Sequence, residues 1–164
     1  MNYTIITICA ITVIFALFVA IINIVKRYSY AVNRLFSLIA ILTAGMVSCL
    51  IIPYFIPDID IVQLTRWYFG LIIIINQGFF HYTQIFPRWE KKSPLWMIIT
   101  TAIPGFITFV LCVATDTIIT HASFIEYYFN FSYGVLIEVY IVVFIFYIMG
   151  TFFTLFYKVR RLEN

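Results

Sequence analysis

From Thr4 to Val25 the chain carries no charged residue, and that single run already narrows what it can become. A helix needs about 20 predominantly apolar residues to cross roughly 30 Å of hydrocarbon. Five stretches reach that length: Thr4–Val25, Leu35–Ile56, Leu64–Phe86, Leu95–Thr115 and Gly134–Tyr157. Between them stand KRYSYAVNR, PDID, PRWEKKSP and the segment opening at Asp116, and the last run passes into KVRRLEN. Hydrophobic residues make up 64% of the chain and charged residues 10%, where a soluble domain has about a quarter charged. A soluble fold of this size lacks the polar residues to cover so much apolar surface. The reading is an all-α integral membrane protein, a five-helix transmembrane bundle forming one domain over residues 1–164, with the lipid bilayer as its first partner.

Lysine and arginine in short loops stay on the cytoplasmic side. Lys26, Arg27 and Arg34 follow the first run, Arg88, Lys91 and Lys92 the third, and Lys158, Arg160 and Arg161 the fifth. The loops after the second and fourth runs hold only acidic charges, Asp58, Asp60, Asp116 and Glu126. The alternation puts the amino terminus outside and the carboxyl terminus in the cytoplasm, in a multi-pass protein of the cell's inner (cytoplasmic) membrane. The first run ends in Lys-Arg without a small-x-small cleavage pattern and has no basic leader, so it reads as an uncleaved anchor. The net charge of +3 sits in these loop clusters, a distribution that sets topology and gives no nucleic-acid surface. NYT at Asn2 and NFS at Asn130 match a short glycosylation pattern on the outer side. The outer loop DTIITHASFIEYYFNFSY is aromatic rather than hydrophilic, and is expected to lie on the membrane or fold back over the bundle. The terminal YKVRRLEN reads as a helix leaving the membrane toward a further module, so the chain is expected to be the front of a longer protein.

The third run is the polar one. With Gln77 at zero and 100° per residue, Arg66, Gly70, Gln77, His81 and Gln84 share an arc of roughly 60°, and Asn76 lies about 100° away. An unpaired amide or imidazole in hydrocarbon costs several kcal/mol, so this arc should face the bundle. Its ordinary role is packing glue, with coupling near 0.6 kcal/mol on average; the alternative is a ligand or signal-coupling face. Arg66 and Gln84 stand near enough to the interfaces to snorkel. Glu138, one turn inside the fifth run, either pairs with Arg66 or is wet at the headgroups. The candidate polar inner face is therefore Arg66, Gln77, His81, Gln84 and Glu138.

Ala44 with Ser48 and Gly45 with Cys49 are small pairs four apart, the spacing that lets helices approach closely. Pro53 and Pro104 interrupt the second and fourth runs, and Pro104-Gly105 is a plausible kink or hinge. Cys9, Cys49 and Cys112 lie inside apolar runs with no CxxC, and read as small buried hydrophobes. There is no phosphate loop, HExxH or nucleophile elbow. No catalytic residue, cofactor or metal is expected, and the chain itself does not read as an enzyme.

The order of features resembles the N-terminal seven-transmembrane sensor region found on bacterial histidine kinases and some diguanylate cyclases. The residues that carry the resemblance are Asn33-Arg34 in NRLFSLIAILTAGM, the exit FFHYTQIFP, the end of the fourth run in ATDTII, and YGVLIEVYIVVFIFYIMGTFFTLFYKVRR. In that family a Thr-Asn or Thr-Asp follows the fourth span and a glycine opens a long fifth span; here these are Thr115-Asp116 and Gly134. The resemblance covers the whole chain but only the first five of seven spans. It implies a sensory or anchoring module of a two-component-type receptor, with a kinase or cyclase module beyond residue 164, an undefined ligand, and room for a homodimer or a cytoplasmic output protein. The competing readings are a small transporter or channel subunit with Gln77, His81 and Gln84 lining a path, and a structural subunit of a membrane complex.

Overall fold

The computed structural model describes residues 3–27, 31–56, 58–85, 95–125 and 128–162. Five helices and one β hairpin are formed among them: α1 (Tyr3–Arg27), α2 (Ala31–Phe55), α3 (Ile61–Ile85), α4 (Leu95–Ala114), β1 (Ile119–Ile125), β2 (Tyr128–Tyr133) and α5 (Ile137–Leu162). Each helix coincides with one of the five apolar runs, with ends displaced by at most five residues: α2 begins four residues before its run and α5 ends five residues beyond its run. Three of them, α1, α2 and α5, are long and apolar enough to cross a membrane. α3 is as long as α1 and α2 at 25 residues, but its amides, imidazole and guanidinium lower its hydropathy. α4 is shorter at 20 residues. Among the residues read from the sequence as setting topology, Arg88, Lys91 and Lys92 lie outside the described residues, as do the side chains of Lys26, Arg27 and Arg161; Asn2 and Glu126 lie outside them too.

α3 is the hub. α2, α4, α5 and β1 all pack on it, whereas α1 packs on α2. The α1–α2 contact includes small residues: Ala20 is 1% exposed and meets Ser37, and the buried Ala40 and Ala44 share the helix face of Ser37. Small side chains let the backbones close up, which in lipid is one source of helix association. Of the two small pairs in α2, Ala44 and Cys49 are buried, while Gly45 and Ser48 are half-buried. The buried cluster on the other side joins Ile73 and Phe80 of α3, Cys112 of α4, Ile118, Ile119, and Tyr140 and Tyr147 of α5.

The aromatic segment after α4 departs from an all-helical reading. It folds into an antiparallel hairpin, with Ala122 opposite Phe131 and Ser123 opposite Asn130, and an irregularity between Ile119 and His121. Its aromatic and β-branched residues favour a pleated strand, and its first strand folds back onto α3. Phe131 meets Phe69 edge-on at 5.2 Å between ring centres, and Phe69 meets Tyr140 at 5.6 Å. The hairpin closes on itself at Gly134, whose N–H donates to the Ile118 carbonyl at 2.8 Å. A Cβ there would stand 2.7 Å from the Asp116 carbonyl oxygen and nearer still to that of Thr117, so only glycine fits. Thr115 shapes the other side of the junction, its Oγ1 2.6 Å from that of Thr117. The Thr115-Asp116 pair and Gly134, separate in the sequence, thus meet at one corner.

Candidate functional site

The polar residues of α3 form a seam along its contact with α4, α5 and the hairpin. At the N-terminal end Gln63 donates from Nε2 to the Val113 carbonyl at 3.1 Å. Arg66 donates from Nε to the Ile119 carbonyl of β1 at 3.1 Å. Glu138 is exposed in the first turn of α5, where a carboxylate suits the positive end of the helix dipole; Arg66 takes a backbone oxygen instead. At the C-terminal end Gln84 donates to Thr154 Oγ1 at 3.1 Å. Asn76, off the arc, folds back on its own helix and donates to the Ile72 carbonyl at 2.8 Å.

The middle of the seam is different. Gln77 Oε1 and His81 Nε2 are buried and have no hydrogen-bond partner among the described residues. Gln77 points at α4 where Pro104-Gly105 interrupts the helix. Tyr147 of α5, 0% exposed, reaches the same place. Its hydroxyl accepts from the Gly105 N–H at 2.9 Å and donates to the Thr101 carbonyl at 2.5 Å. In a regular α-helix those two backbone groups would bond to each other; here the hydroxyl of a side chain from another helix bonds to both, an arrangement of the kind that kinks helices. Thr108 donates to the Pro104 carbonyl at 2.8 Å, a back-bond that also favours bending. A Cβ on Gly105 would lie 2.7 Å from the Tyr147 hydroxyl and 3.0 Å from the Gln77 amide carbon. The missing methyl is the space that both polar tips occupy.

α5 holds this seam through one stripe. Tyr140 donates to the Phe69 carbonyl at 3.2 Å, Tyr147 bridges α4, Thr154 meets Gln84, and Lys158 donates to the Thr83 and Gln84 carbonyls at 2.6 and 2.8 Å. At 100° per residue these four side chains fall within about 40° of one another. Lys158, read from sequence as a topology determinant, also closes the carbonyl end of α3. The sequence reading missed Tyr140, Tyr147 and Thr154, although their spacing of seven is a single-face signal. Tyrosine and threonine are poor markers because both occur freely on lipid-facing and packed surfaces.

Two other features converge on no chemistry. A groove of about 360 Å³ between α2, α3 and the hairpin is lined by Leu50, Thr65, Tyr68, Phe69, Ile72 and Phe131. Among the described residues, no three His, Cys, Asp or Glu side chains come together as a metal site. No family model, curated protein or solved structure matches the chain.

Proposed function

We propose that this chain is the membrane-embedded input or anchoring module of a bacterial signal-transduction receptor of the histidine-kinase seven-transmembrane type. In this reading five helices span the inner membrane, the amino terminus lies outside, and α5 carries the state of the bundle to a cytoplasmic output. The output is a domain beyond Asn164 or a separate protein, and the chain itself does no catalysis. The observation that carries the reading is the attachment of α5. It is tied to α3 and α4 along one polar stripe, while Val142, Met149, Phe153 and Phe156 on its other sides are exposed. A helix held on one side by a few hydrogen bonds can exchange one packing for another. A stimulus that prefers one packing shifts the population by its difference in affinity for the two.

The topology is tested by cysteine labelling in membranes. The Asp58 turn should react from outside and the Lys91 turn from the cytoplasm, and the same side for both ends the five-span reading. The signalling role is tested by joining α5 in frame to a histidine-kinase output domain. Output should change with Tyr147→Phe and Lys158→Ala, and should vary with helical periodicity as residues are inserted after Leu162. A flat response to all of these leaves only an anchor. Solute or ion flux in liposomes would replace the proposal with transport.

A further inference from the structure

The Gly105 amide has one hydrogen and three acceptors around it: Tyr147 Oη, the Thr101 carbonyl of its own helix, and Gln77 Oε1 beside its α-carbon. Tyr147 Oη holds it at 2.9 Å. Gln77 Oε1 occupies the space beside the same α-carbon, buried and with no donor. A buried acceptor left without a donor is penalised by its lost hydration, a penalty that a different partner choice would move to another acceptor. The two side-chain acceptors come from different helices, Gln77 from the hub α3 and Tyr147 from α5. Glycine at 105 is what admits both, and Pro104 beside it already loosens the ladder of α4.

We propose that Gln77 and Tyr147 are alternative acceptors for the Gly105 N–H, forming a two-position latch that couples the kink of α4 to the placement of α5. With α5 docked, Tyr147 takes the amide and spans the kink to the Thr101 carbonyl. With α5 displaced, Tyr147 leaves and Gln77 Oε1 takes the amide, so α4 becomes bound to α3 alone. Each position leaves a different acceptor unsatisfied, which keeps the two close in free energy and therefore responsive to a modest bias. The exchange stands on geometry; only its consequence for output rests on the signalling role proposed for α5.

Pro104-Gly105 is the single Pro-Gly step in the chain. Carbonyl-labelled proline with nitrogen-labelled glycine therefore isolates the Gly105 amide as one resonance in bilayer nanodiscs. In Tyr147→Phe the amide should remain slow to exchange with deuterium, at a shifted frequency, and should gain dipolar contact with a carbon-labelled Gln77 amide. In Gln77→Met, which keeps the side-chain shape, the resonance should stay where it is in the natural protein. In the double variant exchange should accelerate by about tenfold or more, the loss of one buried hydrogen bond. If the double variant behaves like Tyr147→Phe, the Thr101 carbonyl closes the ladder unaided and the latch is wrong. Absence of the Gln77 contact in Tyr147→Phe overturns it as well, without needing the double variant to fold. An exchange observed with no effect on a fused kinase leaves the latch standing and removes the signalling role.

Discussion

The α1–α2 pair and the α3–α4–α5 group are held together in different ways. The first brings small residues together, Ser37 of α2 lying with its Oγ 3.2 Å from the Ala20 carbonyl of α1 and also bonded to the Asn33 carbonyl of its own helix. The second is laced by Gln63, Arg66, Gln84, Tyr140, Tyr147 and Lys158, nearly all to backbone oxygens, and leaves Gln77 Oε1 and His81 Nε2 buried without a hydrogen-bond partner among the described residues. Close-packed small residues have one good arrangement. Hydrogen bonds to backbone carbonyls have several, because every turn of a helix offers another carbonyl. The difference teaches that one helical bundle can combine a close-packed side with a side joined by hydrogen bonds, and the exchange proposed above belongs to the second.

Two native thiols read the two regions separately, since Cys49 of α2 and Cys112 of α4 are both buried. The largest effect should come from Gly105→Ala, whose methyl falls on the Tyr147 hydroxyl and the Gln77 amide. Overpacking together with lost hydrogen bonds should cost about 3 kcal/mol. Cys112 labelling should rise steeply while Cys49 labelling in α2 barely moves; equal rises would mean that the regions are not independent. Tyr147→Phe should cost about 1–2 kcal/mol in denaturant unfolding in detergent micelles, again seen at Cys112. Gln77→Leu has the opposite sign: removing an acceptor that has no donor should be neutral or stabilise by about 1 kcal/mol. A clear loss of stability there would mean that Gln77 already has a partner in the membrane. Ser37→Ala should be the smallest change, near 0.6 kcal/mol, and confined to Cys49. A larger effect at Cys112 would show that α1–α2 packing is transmitted through α3.

Much of the architecture was legible before any coordinates. An apolar run long enough for a bilayer is a local property, and all five became helices. The polar arc of α3 was legible too, because a periodicity of 3.6 residues assigns a face. That face is turned to α4, α5 and the hairpin, with Asn76 off it as the angles require. The hairpin was not legible. Its aromatic alternation fits both an interfacial belt and a strand, and only a docking surface on α3 decides between them.

The sequence alone determined how many helices form, where they lie and which side of α3 must be covered, because solvent preference and helical period act on each segment separately. The tertiary structure decided the partners: Arg66 with the Ile119 carbonyl rather than Glu138, Lys158 with the end of α3, and Tyr147 inserted at Gly105. Those choices depend on the relative depth and rotation of neighbouring helices, set by packing along their whole length, and no single segment encodes them.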